Sequence, residues 1–453
     1  MTRNLKWSLF VGVVFLAAAG AYVYWQYIRD TWQPPGVVTI ESKEAVLSLF
    51  PSYATWVSDP EEGAPQALLL RDGDYLMVGS IEAPVRYLAS DGRALKLTSN
   101  DWSMSLGETT IGLSLDEEDG RKWLSGASDQ QLADLRVVMI PDDMDAETLA
   151  ALKRLAAANP DVDLSVESEA ALRQALALFA PKALFAGGEA DPPLQVLANQ
   201  PRLQTLLMSA SKPGSLDFLP TLPKLRRLVL GDWKIAETGP LPEGLSGLKS
   251  LIIVGTDMKD LSALHAAPAG LEELSLQNSE ELKDLTGLDK MTGLHALSLW
   301  SEKDESAVEL PDLAALRKLR WMSLPPKISQ AQFAAFASAH PKLMFLQLPE
   351  TEQAINLTPL RGMKDLQGVV LAGTYENLEL LQELTSLRYV GISEKIWKDS
   401  SAQIAAIRKA LPDAVVVRTS PLCLGSGWIL FLIPVLGYAW LRRRPPPLVR
   451  QAA

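Results

Sequence analysis

The feature that most constrains this chain is a leucine pattern with a near-constant step. LxxLxL-like segments begin at 225 (LRRLVL), 248 (LKSLII), 271 (LEELSL), 294 (LHALSL), 319 (LRWMSL), 343 (LMFLQL), 366 (LQGVVL) and 387 (LRYVGI), at steps of 23, 23, 23, 25, 24, 23 and 21 residues. LQTLLM at 203 extends the series upstream. A period of this size describes a solenoid, because one strand and its return cannot bury an apolar face alone and must stack on the next unit. A second leucine pair precedes most strands by about ten residues: LDFL, LSAL, LTGL, LAAL, LTPL and LELL. Strand leucines and return leucines together fill the inside of one coil.

Three units are longer and read as a polar start, an amphipathic helix, a proline and a β-rich strand. They begin at 145, 329 and 400. Ser329 with Gln332, and Ser400 with Gln403, have capping-box spacing and predict the helix starts. The unit at 145 starts the solenoid near LRVVMI at 135, so 125–200 reads as degenerate repeats and 201–418 as the regular solenoid. Residues 37–124 stand apart. Alternating runs broken by Asp-Gly predict hairpins, and hence a β-rich module or N-terminal cap that covers the apolar end of the first coil.

The repeat resembles the leucine-rich repeat family, in its short bacterial type, over about 200–395. The usual asparagine three residues past the strand is replaced by Trp233, Thr256, Ser279, Glu302, Lys327, Thr351, Thr374 and Lys395. The resemblance implies an α/β solenoid with parallel strands on its concave face. Together with the ends of the chain, the expected fold class is that solenoid, a small β-rich N-terminal module and a transmembrane helix at each end.

Trp7 to Ile28 is uncharged for 22 residues, long enough to span a hydrocarbon core of about 30 Å. Arg3 and Lys6 make 1–6 a cytoplasmic tail and 7–28 a transmembrane helix or signal anchor. A cleaved signal at Ala19-Gly20-Ala21 is the alternative. At the other end, 419–441 reads as a second span and 442–453, with Arg442, Arg443 and Arg444, as a basic cytoplasmic tail. Cys423, Gly425, Ser426 and Gly427, followed by an apolar run and arginines, resemble bacterial C-terminal sorting signals. That resemblance implies a membrane processing protease as a partner and Cys423 as a processing or lipidation site. The expected location is a bacterial inner membrane with the body in the periplasm or extracellular space.

Composition narrows the chemistry. One cysteine excludes an internal disulfide and a thiolate-rich zinc site. Net charge is −11, and removing 1–30 and 421–453 leaves 36 basic and 53 acidic residues. An acidic body argues against nucleic acid. His265, His295 and His340 lack metal-ligand spacing, and no phosphate-binding glycine loop is present. The acidic runs at 116–119 and 142–145 lack a calcium-loop pattern. No enzyme, metal or cofactor is expected.

A solenoid without chemistry predicts recognition over its concave face. In LxxLxLx the third, fifth and seventh residues face that side. They place Trp300, Trp321 and Phe345 on successive strands and Tyr389 two coils on, an expected exposed aromatic patch with Arg227 and Arg320 at its rim. The expected ligand is an exported protein or envelope polymer. The alternative is a structural or assembly element that braces a membrane complex without a discrete ligand.

Overall fold

The structure, a computed structural model, describes residues 102–419 apart from 107–108, 136, 188–193, 210–214, 300–309, 327, 351–353, 388 and 413, and the backbone of five strands between 65 and 99. Four of those strands, β1 (Pro65–Leu69), β2 (Tyr75–Ser80), β3 (Tyr87–Ala89) and β4 (Ala94–Leu95), form an antiparallel meander. The other described strands, one short pair apart, build one 16-stranded sheet. It runs through β5 (Leu97–Ser99), β6 (Ser103–Leu106), β7 (Thr109–Ser114), β8 (Val137–Ile140), β9 (Asp163–Val166), β10 (Ala183–Gly187), β11 (Thr205–Ser209) and β12 (Arg227–Trp233). It continues through β13 (Ser250–Thr256), β14 (Glu273–Gln277), β15 (Ala296–Ser298), β16 (Trp321–Ser323) and β17 (Phe345–Leu348). A separate parallel pair, β18 (Ile355–Asn356) and β20 (Tyr375–Glu376), flanks its last members, β19 (Gly368–Leu371), β21 (Tyr389–Ser393) and β22 (Val415–Thr419). β5, β6 and β7 pair antiparallel, and every pairing from β7 to β22 is parallel. The 37–124 stretch is thus continuous with the large sheet through β5–β7.

Each of the nine leucine segments opens its strand two residues after the first leucine, from Thr205 to Tyr389. The first, fourth and sixth residues point into the coil: Leu225, Leu228 and Leu230 in one unit and Leu271, Leu274 and Leu276 in the next are all buried. Removing such a side chain from water stabilises by about 1.5–3 kcal/mol, and the stack repeats this coil after coil. The return leucines sit on short 3-10 turns, such as Leu219–Thr221, Leu261–Leu264 and Leu378–Glu383.

Where the sequence lacks the asparagine ladder, the turns after the strands use other devices. Asp232, Gly255 and Asn278, each 23 residues apart, adopt left-handed backbone at φ 49°, 65° and 48°. These are the residue types that tolerate it. A Cβ on Gly255 would stand 2.9 Å from Asp232 Oδ1, so this step also needs the missing side chain. In the asparagine position itself, Trp233 is buried and its Nε1 donates to Thr238 Oγ1 at 2.6 Å.

The longer units carry helices at Ala146–Ala158, Gln330–Ala339 and Ser401–Ala410. Ser329 and Gln332 form the capping box read from the sequence. Ser400 does not cap: the helix Glu394–Asp399 runs into it, its N–H donates to Ile396 C=O, and its backbone (φ −126°, ψ 31°) is not the extended form a cap needs. A capping box that the sequence reading missed joins Ser128 and Gln131.

The membrane helices expected at 7–28 and 419–441 lie outside the described residues. Among the described residues no helix is long and apolar enough to cross a membrane. The longest, Ala146–Ala158, has 13 residues, about 20 Å of helix against a core of about 30 Å. The fold class is corrected accordingly. The structure supports a large, mainly parallel β-sheet in a solenoid-like α/β form, and the chain is not assigned to a membrane.

Candidate functional site

Two surfaces of the sheet carry side chains that a partner could use. The first is the face of the third, fifth and seventh positions. From β10 to β13 its fifth position is apolar: Phe185, Leu207, Val229 and Ile252, with Val254 at the seventh, form a buried cluster separate from the main core. From β14 to β17 the fifth position is polar, with Ser275, Ser298, Ser323 and Gln347 in successive strands, all buried. Ser250 Oγ bonds the buried Glu273 carboxylate on the neighbouring strand, and Gln277 Nε2 donates to Ser275 Oγ at 2.8 Å.

Trp321 and Phe345 meet on this face, stacked at 5.4 Å between ring centroids with planes 3° apart. Adjacent parallel strands, about 4.8 Å apart, dictate that stacking. The expected exposed patch is corrected, because Trp321 is 4% and Phe345 0% exposed. Burying the rings removes apolar area from water, the outcome burial energetics favour. Arg227 opens β12 and is buried rather than at a rim. Tyr389 opens β21 in register with Gly368 and Val415. Trp300, Cys423, Gly425, Ser426 and Gly427 lie outside the described residues. Among the described residues, Trp321 Nε1, Ser323 Oγ and Gln347 Oε1 are buried without a hydrogen-bond partner.

The second surface is the side of the sheet on which the parallel strands begin, the strand-start edge. Here the second residue of each LxxLxL unit forms a row held by backbone hydrogen bonds. Gln204 N–H donates to Lys182 C=O (2.7 Å), Arg226 to Gln204 (2.8 Å), Lys249 to Arg226 (2.7 Å), Glu272 to Lys249 (2.8 Å), His295 to Glu272 (2.7 Å) and Arg320 to His295 (2.8 Å). The turns before the strands add exposed Lys224, Arg317, Lys318 and Lys342. Carboxylates enter this edge too: Asp161 pairs with Lys182 (2.6 Å) and with Arg202, Glu272 pairs with Lys249 (3.0 Å), and Asp365 is exposed in the turn before β19. Bonds from Lys182 and the charge of Arg202 hold the Asp161 carboxyl below the usual range, against partial desolvation. Among the described residues, Lys224, Arg226, Arg317, Lys318, Arg320 and Lys342 take part in no ion pair. Arg320 Nη1 donates to Leu319 C=O (2.9 Å) and Arg317 C=O (3.3 Å), which fixes its guanidinium against the turn. Partial burial holds the His295 imidazolium below its ordinary range; Glu272 opposes this, while Lys318, Arg320 and Lys249 add to it.

The opposite, strand-end edge carries an acidic excess after β12, β13 and β14: Asp232, Glu237, Asp260, Glu280, Glu281 and Asp284 are exposed there, against Lys234, Lys259 and Lys283. Lys283 and Asp284 N–H groups donate to Lys259 C=O at 3.0 and 3.2 Å, so these loops also stack coil on coil. The sequence reading missed this segregation because whole-body charge averages it away. The signal was the second letter of the five repeats from LRRLVL to LRWMSL: R, K, E, H, R.

Among the described residues the three histidines lie apart. His340 is buried against Phe336, His265 Nδ1 contacts Ser262 C=O on a return turn, and His295 lies in the basic row. Among the described residues no group of three or more His, Cys, Asp or Glu is placed to hold a metal ion. The acidic runs serve locally: Asp145 caps its helix through Thr148 N–H and Glu118 pairs with Lys122.

No protein-family profile matches the chain, and no curated protein matches it in sequence. Among solved structures it is similar to internalin C2 from Listeria monocytogenes, at 18% identity over 51% of this chain and 80% of that chain, with a TM-score of 0.28. A likeness of that size assigns neither family nor function. The identification as a short-type bacterial leucine-rich repeat protein with a membrane-helix sorting signal is therefore corrected to a solenoid-like α/β fold. With it go the inner-membrane location, the membrane and processing-protease partners, and the role of a membrane-anchored display module.

Proposed function

We propose that this protein is a non-catalytic binding scaffold that docks an acidic protein surface along the strand-start edge of its sheet. The observation that carries the reading is the row Arg226, Lys249, Glu272, His295 and Arg320, with its flanking lysines, on a chain of net charge −11. Two like charges about 5 Å apart repel by about 0.8 kcal/mol even in bulk water. A partner that brings carboxylates relieves that repulsion, and the backbone bonds along the row place the side chains in advance. A nucleic acid fits less well, since its dense phosphates meet an acidic body beside a narrow basic strip.

The test is a titration of the full chain with labelled polyglutamate at two salt concentrations. Replacing Arg226 and Lys318 by serine should weaken binding roughly tenfold, and added salt should weaken it further. Binding that ignores both changes, or a stronger preference for duplex DNA as competitor, would overturn the reading.

A second reading places a ligand on the other face, favoured by the three partnerless polar atoms of Trp321, Ser323 and Gln347. Buried polar groups are almost always satisfied, so a ligand there would offer an acceptor to Nε1 and a donor to Oε1. Loss of a co-purifying partner on Ser323→Val with Gln347→Leu, in a folded protein, is its expected signature.

A further inference from the structure

Both long edges of the sheet are the two ends of the same strands. Whatever spacing the basic row has at the strand starts, about 4.8 Å per coil, the acidic loops at the strand ends have it too. The coils that carry Arg226 and Lys249 at their starts carry Asp232 and Glu237 with Lys234, then Asp257 and Asp260 with Lys259, at their ends, an acidic excess in each. Each edge also sets like charges together. Bonds from Thr286 hold the Asp284 carboxyl below its usual range, and the nearby charge of Asp260 opposes them. On the basic side Lys249, Lys318 and Arg320 all act on His295. Both edges would therefore be relieved by opposite charge at the same pitch.

Resting on the reading of the strand-start edge as a docking surface for carboxylates, we infer that its occupant is a second copy of this chain, presenting its acidic strand-end edge. Stacked along the strand direction, two copies share one curvature and one step per coil, so the complementarity extends over several coils without a register fault. An unrelated acidic partner has no reason to match that pitch. The net charge of −11 opposes association, but at physiological salt charges farther apart than about 8 Å are largely screened, and facing edges lie well inside that distance. The contact joins two different surfaces. It is heterologous and leaves one free edge of each kind, so association continues beyond a dimer instead of closing.

The experiment is sedimentation velocity on the full chain over a range of concentrations, with charge-reversed variants at exposed positions. Arg226→Glu with Lys318→Glu lowers the charge of the strand-start edge by four and leaves the strand-end edge as it is. Glu237→Lys with Glu281→Lys raises the charge of the strand-end edge by four and leaves the strand-start edge as it is. Wild type should show a weight-average sedimentation coefficient that grows with concentration and shrinks at high salt. Each variant alone, folded by circular dichroism, should associate about tenfold more weakly or less, and an equimolar mixture of the two should recover association. Failure of the folded mixture to associate, or undiminished association of either variant alone, would overturn the stack. Wild type that stays monomeric but still binds polyglutamate defeats the second copy while leaving the docking edge intact. Wild type that does neither defeats both.

Discussion

Replacing Glu272 by glutamine removes the one carboxylate from the middle of the basic row. Its bond to Lys249 is 3.0 Å long, with side chains 29% and 34% exposed. A pair in that setting contributes about 0.2–1 kcal/mol, and the variant should lose no more than that in urea denaturation. The sharper effect falls on His295. Burial, Lys318, Arg320 and Lys249 disfavour its imidazolium, and Glu272 is the group that favours it. Without Glu272 the His295 pKa must fall further. The sign for stability follows: the folded chain holds this proton less tightly than the unfolded one, whose histidine titrates near about 6.5. The contribution is therefore fully present above that pH and is lost as pH falls below it, where the unfolded chain takes up more protons. The variant should steepen this acid-side loss. For an anion about 6 Å from the lost charge, repulsion screened by water is about 0.7 kcal/mol, so polyglutamate should bind about threefold tighter. The His295 ring resonances, followed by NMR against pH, read the first effect and a binding titration reads the second. A His295 pKa that is unchanged or raised, or weaker polyglutamate binding, would refute the reasoning.

Three further outcomes test the scaffold. Tyr375 Oη receives the Gly373 N–H (3.1 Å) and faces the carbonyls of Pro349 (2.7 Å) and Leu348 (3.0 Å), and burial pushes its phenol well above the ordinary range; Tyr375→Phe should cost about 1–3 kcal/mol in denaturant unfolding. Asn159 Nδ2 closes the C-terminus of the helix Asp129–Asp134 by donating to Leu135 C=O (2.6 Å), Leu132 C=O (3.2 Å) and Ala133 C=O (3.3 Å); Asn159→Ala should cost about 1–2 kcal/mol and speed amide exchange in that helix before the rest of the sheet. Trp321→Phe keeps an aromatic ring beside Phe345 and removes an N–H that has no partner among the described residues, so stability should stay within about 1 kcal/mol of wild type, and a loss above about 2 kcal/mol would show that Nε1 is satisfied after all.

The strands were legible because the period of the leucines is imposed by the coil itself: Leu225 and Leu248 can both be buried only if the chain returns once in 23 residues. The same periodicity placed Trp321 against Phe345, a contact fixed by register. It did not show that the rings are closed off, since alternation along a strand distinguishes two faces without saying which of them water reaches. At Ser400 the capping spacing was right and the geometry was not, because a preceding helix sets the backbone that a capping serine needs. The basic row escaped notice for a different reason. Arg226, Lys249, Glu272, His295 and Arg320 follow one another at steps of 23 to 25 residues and become neighbours only when the coils stack, while Asp232 and Asp260 cancel the cations in any sum over the chain. The missing asparagines were read as a weaker ladder, whereas Asp232, Gly255 and Asn278 make the turn one residue earlier with left-handed backbone.

Hydrogen exchange of the full chain, with and without saturating polyglutamate, tests the docking edge most directly. The account predicts added protection in the turns that begin the strands, around 224–226, 247–249 and 317–320, with little change at the strand-end loops 232–237 and 280–284. Protection centred on the strand-end loops or on the helices, with the strand-start turns unchanged, would contradict it.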